Sequence, residues 1–203
     1  MLYVHIATED ALTEAVGLKL IANFLPGFEV DLKLGKKGNG LLKSKIAAYC
    51  DIAKRTPFLL ITDLDGTACA PSLMSSWLGH LNPPQNFMFR VAVREVEAWL
   101  LADQVAIKPL LGKHAKVPPN PDNIQNPKEF LLNLAREAPR EVRRDLLSER
   151  GSIASRGIGY NQRLCDYVNN SWSPSRAAQR SESLCRVIRR LEHLMASLRS
   201  DRT

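Results

Sequence analysis

The chain has 203 residues, 45% of them hydrophobic and 24% charged, with four cysteines and a formal net charge of +7. That length supports one sizeable core, or a core with a helical appendage, and the composition is ordinary for a soluble globular protein. No apolar run approaches the roughly 20 residues that span a bilayer, and Cys50, Cys69, Cys165 and Cys185 form no C-x-x-C pair, which argues against a zinc site or a disulfide framework and fits a reducing cytosol.

The opening Met1-Leu2-Tyr3-Val4-His5-Ile6 has no basic segment and no small-residue cleavage site, so it reads as a first strand over residues 2–7, not a signal peptide. Residues 11–24 carry Leu12, Ala15, Val16, Leu20, Ile21 and Phe24 at helical spacing, and Pro26-Gly27 ends that helix. Residues 28–34 alternate apolar and charged side chains, the pattern of a half-exposed strand near a sheet edge. A basic glycine loop follows over residues 35–40, then a helix over residues 41–54. Residues 58–62 are apolar almost throughout and predict a central, buried strand. A helix over residues 71–80, a strand over residues 87–93 and a helix over residues 94–103 complete the first half.

Strand–helix alternation of this kind predicts right-handed βαβ units and a mostly parallel four-stranded α/β sheet flanked by helices. Beyond residue 104 no strand pattern recurs. Pro118-Pro119-Asn120-Pro121-Asp122 is turn-rich. Helices are expected over residues 127–138, 139–148, 160–170 and 182–199, with a polar loop over residues 151–159. The chain therefore divides into an α/β core, residues 1–103, and a helical region packed on it, residues 104–203. After Lys128 every cationic side chain is an arginine, which suits phosphate forks and a polyanionic substrate. A solvated helix face would give the same composition.

The informative motif lies where the central strand ends, in Thr62-Asp63-Leu64-Asp65-Gly66. Ligands of open α/β sheets bind outside the carboxyl ends of the strands. Two carboxylates there repel each other unless a cation lies between them, so Asp63 and Asp65 point to Mg²⁺ or Mn²⁺. If the first and third strands are neighbours, Glu9 joins them, and three carboxylates could bind one or two ions that clamp a phosphodiester. Asp10 suits a helix N-cap, and Glu14 a surface or outer-sphere position. Glu97, after the fourth strand, is a further ligand or a general base. Trp99 reads as core. Lys43, after the glycine loop, is a phosphate or transition-state contact or else a surface charge. Arg156, Tyr160, Asn161 and Arg163 are weaker phosphate contacts. His5, His80, His114 and His193 show no pairing by spacing.

A glutamate after the first strand (Glu9) and an Asp-x-Asp after the third (Asp63, Asp65) resemble the TOPRIM module of topoisomerases, primases and related nucleases over residues 1–103. One departure is Asp10, where that module has a glycine. The whole chain resembles a bacterial TOPRIM-like family of unknown function through Thr8–Val16, Leu41–Lys45, Thr62–Asp65, Arg94–Asp103 and Gly159–Asn161. The resemblance implies a Mg²⁺-dependent nuclease-like effector acting on nucleic acid, with Glu9, Asp63 and Asp65 as ligands, beside which Glu97 stays a further ligand or base; with the cysteine usage, a cytoplasmic protein is expected. Members of that family are often encoded beside an ABC-type ATPase in phage-defence loci, which implies such a partner. A subunit that binds nucleic acid or partner without cutting is the non-enzymatic alternative.

Asp63-Leu64-Asp65-Gly66-Thr67 also resembles the haloacid-dehalogenase phosphatase motif, with Asp63 as nucleophile and Asp65 as general acid. Against it, that motif normally lies on the first core strand, whereas two strand–helix units precede it here. The later lysine and paired aspartates of such phosphatases are also missing from any strand end.

Overall fold

In the computed structural model, residues 2–148 and 156–200 are described. Four strands, β1 (Leu2–Thr8), β2 (Phe28–Gly35), β3 (Phe58–Asp63) and β4 (Phe87–Ala92), form one all-parallel sheet in the order β2-β1-β3-β4. The α/β architecture and the helical second half agree with the sequence. So does the placing of each strand: β2 is an edge, and β3 is buried at every residue. Phe58, Leu59, Leu60 and Ile61 are fully buried, each worth about 1.5–3 kcal/mol of burial at most. No helix among the described residues is long and apolar enough to cross a membrane.

Side-chain alternation along the strands separates two cores. One face carries Val4, Ile6, Leu59, Ile61 and Met88 and packs with α1 (Ala11–Phe24) and α5 (Val96–Ala102). The other carries Ala7, Phe58, Leu60, Phe87 and Phe89 and packs with α3 (Ile46–Ala53) and α4 (Ala70–Leu78). The connection after β1 thus runs over one face, and the return from β2 to β3 over the other. That reversal makes the β1–β3 boundary a topological switch point, with its crevice at the carboxyl edge.

Two features differ from expectation. The basic glycine loop is partly helical, because α2 (Gly38–Ser44) begins inside it, and the expected helix over 41–54 is two helices broken at Lys45. The Ser44 hydroxyl donates to the Leu41 carbonyl at 2.8 Å, the local competition that weakens helix interiors. Gly35 fixes where this segment starts. Its φ is +95°, and a Cβ there would collide with the Thr8 carbonyl oxygen, so β2 ends pressed against β1. Lys36 N–H then donates to Thr8 O at 2.8 Å and Gly38 N–H to Glu9 O at 3.1 Å.

The second half adds α6 (Gln104–Leu111), α7 (Pro127–Ala135), α8 (Arg140–Leu146), α9 (Tyr160–Asn170), α10 (Pro174–Ala178) and α11 (Glu182–Ser200). Of these, α6 and α10 were not evident in the sequence. Pro109 argues against a helix at 104–111, yet the Asp103 cap and buried Ala106, Ile107 and Leu111 outweigh the one bond it cannot make. Part of the expected polar loop, residues 151–155, lies outside the described residues. The α1–α5 core continues without interruption through α7, α9 and α11. Within it the Trp172 indole donates to Trp99 O at 3.0 Å and the Trp99 indole to Ser183 Oγ at 2.7 Å, so Trp99 is core as expected.

Candidate metal centre

Parallel pairing brings all four strand ends to one edge, and the register sets the level of each residue. Thr8 pairs with Ile61 and Asp63 with Ala92. Glu9, one residue beyond Thr8, therefore comes level with Thr62. Its carboxylate accepts the Thr62 hydroxyl and, at 2.9 Å, the Asp63 N–H. The first and third strands are thus neighbours, and Glu9 bridges their ends.

Asp63 is buried at the end of β3. Its Oδ1 accepts the Val96 N–H at 2.9 Å, a first-turn amide of α5, where the helix dipole favours an anion. The next residue of that helix is Glu97, 1% exposed. Glu97 Oε1 accepts the Tyr160 hydroxyl at 2.7 Å from the start of α9, while its Oε2 is buried and has no hydrogen-bond partner among the described residues. A buried carboxylate oxygen left unpaired costs free energy, and native structures keep few of them.

Among the described residues, one cation enters this group. Lys128, at the start of α7, places its Nζ 3.5 Å from Glu95 Oε1 and 3.6 Å from Glu97 Oε1. Its backbone N–H also donates to Glu95 Oε2 at 2.8 Å. Glu95 thus fastens the amino end of α7 to that of α5, and Lys128 is carried inward with it. Burial works against the ammonium, but Glu97, Glu95 and Asp63 outweigh it and hold the lysine above its ordinary value.

The carboxylates feel one another. Burial, then Glu97 and Glu9, push Asp63 well above the aspartate range, with Lys128 opposing. Burial raises Glu97 against the pull of Lys128 and Tyr160. Burial also raises Glu9, with Thr62 and the Asp63 amide opposing. Hard oxygen donors, mutual repulsion and an unpaired Glu97 Oε2 suit a hard divalent cation. Among the described residues, however, no three His, Cys, Asp or Glu side chains converge as a group that could hold an ion. One or two carboxylates are as many as a Mg²⁺ ion commonly takes from a protein, so these residues would suffice for such an ion.

The other expected residues take different places. Asp65 is exposed, at φ +48°, a conformation aspartate tolerates. Its turn is held by Leu64 and Asp65 N–H bonds to Arg94 O at 2.9 and 3.0 Å. Asp65 Oδ2 accepts from Asn39 at 3.3 Å, so it forms the rim. Lys43 is exposed in the last turn of α2, and none of its hydrogen bonds or ion pairs among the described residues reaches these carboxylates. Asp10 caps α1, accepting the Thr13 N–H at 2.9 Å. Glu14 is buried and pairs with Lys36 at 2.9 Å. Arg156 lies over the Tyr160 ring, and Arg163 pairs with Asp145.

Lys128, Thr62 and the bond from Tyr160 to Glu97 were not foreseen. The one local signal for Lys128 is that it is the last lysine before an all-arginine stretch. With this geometry in view, no protein-family model matches the chain, and neither a curated protein nor a solved structure does.

Proposed function

We propose that the protein is a TOPRIM-like, Mg²⁺- or Mn²⁺-dependent nuclease that hydrolyses phosphodiester bonds of nucleic acid. One observation carries this reading: at the switch-point edge Asp63 is raised by burial and by the charges of both Glu97 and Glu9, and among the described residues Glu97 Oε2 has no hydrogen-bond partner. Carboxylates gathered only for stability would be satisfied by donors.

Glu9 and Asp63, each fixed by backbone N–H groups, would hold the ion, with Glu97 beside them and Asp65 at the rim. When bound, the ion supplies Lewis-acid polarisation of the phosphodiester. Glu97, raised by burial and oriented by Tyr160, is the group suited to hold or take a proton. Lys128 offers positive charge to a phosphoryl oxygen, the role first assigned to Lys43. The family resemblance adds an ABC-type ATPase partner and a defence role.

The test is metal-dependent cleavage of DNA and RNA by wild type and by Asp63→Ala. Cleavage by wild type, absent in the variant and absent with chelator, is the expected result. Equal cleavage by both proteins would remove the reading.

A second reading keeps one observation in its favour. The lysine that phosphatases of the haloacid-dehalogenase type set beside their nucleophile has a counterpart here, because Lys128 acts on Asp63 from α7 instead of from a strand end. Its signature would be phosphate release from small phosphomonoesters with a phosphoaspartate at Asp63. Asp63 Oδ1 is already engaged by the Val96 amide, which favours ligand over nucleophile.

A further inference from the structure

A groove of about 1340 Å³ opens between α7 and α8. Arg136, Arg140, Arg143 and Arg144 line it, together with the less exposed Lys128 and Glu95. All four arginines are exposed. Among the described residues no carboxylate pairs with Arg136, Arg140 or Arg143, and Arg144 makes only a loose 3.7 Å contact to Asp145. Against these five cations the lining sets two carboxylates, Glu95 and Glu129, and Glu95 is already occupied by Lys128. Three guanidinium groups without a carboxylate partner among the described residues, and a fourth only loosely paired, line one groove and suit an anion with several separate charges.

Lys128 belongs both to the groove and to the carboxylate cluster. A polyanion lying along the arginines therefore reaches the cluster at the ammonium that faces Glu97. Amide side chains, Asn126 and Asn133, add donors along the same wall. Among the described residues its lining holds no aromatic ring for base stacking, so contact would be made to the sugar–phosphate backbone and would be indifferent to sequence.

We propose that the α7–α8 groove is the track for a nucleic-acid strand, whose phosphates Arg136, Arg140, Arg143 and Arg144 bind and whose path ends at Lys128. The choice of nucleic acid over an acidic protein segment rests on the phosphodiester reading of the adjoining carboxylates. Arginine forks match phosphate oxygens in pairs, and successive phosphates of one strand provide the repeated charge that the row of arginines requires.

The test is fluorescence anisotropy of labelled oligothymidylate and oligoadenylate ribonucleotide in chelator, so that binding is read without turnover. Wild type, Arg140→Gln/Arg143→Gln and Asp63→Asn are compared between about 50 and 200 mM salt. The double variant should bind about tenfold more weakly, and its log–log salt slope should flatten by about 1.4, or 0.7 for each lost phosphate contact. Asp63→Asn should bind at least as well as wild type. Both substituted arginines are exposed, and circular dichroism checks their fold; Arg136→Gln/Arg144→Gln gives an independent pair. Unchanged affinity and slope in both double variants would overturn the proposal. So would a wild type that binds no strand, or one that takes polyglutamate in the strand's place. A wild type that binds through these arginines but never cleaves would leave the groove standing and remove only the nuclease reading.

Discussion

Two buried carboxylate sites lie at opposite ends of α5, and they are built in opposite ways. At the carboxyl end, Asp103 has a side chain fully shielded from solvent. Its Oδ1 accepts the Arg176 Nε at 2.9 Å and the Ala106 N–H at 3.3 Å, and its Oδ2 accepts the Arg176 Nη2 and the Ser173 N–H, each at 2.8 Å. Every lone pair has a donor, and the charge has a bidentate counter-ion. At the amino end, Glu97 and Asp63 act on each other, Glu9 adds a third carboxylate, Lys128 is shared, and Glu97 Oε2 has no donor among the described residues. The first arrangement ties α5, α6 and α10 together. The second sets three carboxylates against one lysine among the described residues, which burial makes costly.

The contrast is sharpest under substitution. Asp103→Ala strips the exposed Arg176 guanidinium and two backbone N–H groups of their buried acceptor, and should destabilise by about 2–4 kcal/mol. At this chain length each kcal/mol is roughly 2–4 °C in Tm, so thermal denaturation reads it directly. Tyr160→Phe should cost less, about 1–3 kcal/mol, because Glu97 Oε1 keeps Lys128 after losing its only hydroxyl donor. A loss as large as that of Asp103→Ala would mean that Tyr160 serves the core more than the cluster.

Asp63→Asn should do the reverse and stabilise the metal-free protein at neutral pH, on the order of 1 kcal/mol. Asparagine can still accept from Val96 but carries no charge. The sign follows from linkage. Asp63, Glu97 and Glu9 all bind their protons more tightly folded than unfolded. The stability this provides is complete below the ordinary carboxyl values of 3.8 and 4.5. It is lost as pH rises from there through the raised folded values. Metal-free wild type should therefore lose stability from mildly acidic pH upward, and Asp63→Asn should lose less. Parallel pH profiles for the two proteins would contradict the account of repulsion at this end of α5.

Much of the site's placement was legible in the sequence, because it depends on local pattern. Alternation in residues 28–34 marked an edge, and the continuous apolar run before Asp63 marked a strand covered on both faces. The meeting of Glu9 with Asp63 was legible only on the condition that β1 and β3 are neighbours, which the sheet order fulfils. Lys128 was not legible, since 31 positions separate it from Glu97 and only the Glu95 carboxylate on the α7 amino end brings it in. Lys43 was favoured because its glycine loop looked like a phosphate cradle, but α2 begins inside that loop and leaves Lys43 exposed. Asp65 shares a motif with Asp63, yet the turn held by Arg94 sends the two in different directions. Spacing in sequence found the strand ends, whereas the cation and hydroxyl that complete the cluster came from contacts between distant helices.

The central claim is the proposal that the carboxylates at the amino end of α5 bind a divalent cation. Isothermal titration of Mg²⁺ and Mn²⁺ into wild type, Asp63→Asn and Asp103→Asn at neutral pH tests it most directly. Saturable binding to wild type, abolished in Asp63→Asn and retained in a folded Asp103→Asn, is the predicted result. A wild type that binds no ion, or an Asp63→Asn variant that binds as well as wild type, would contradict it.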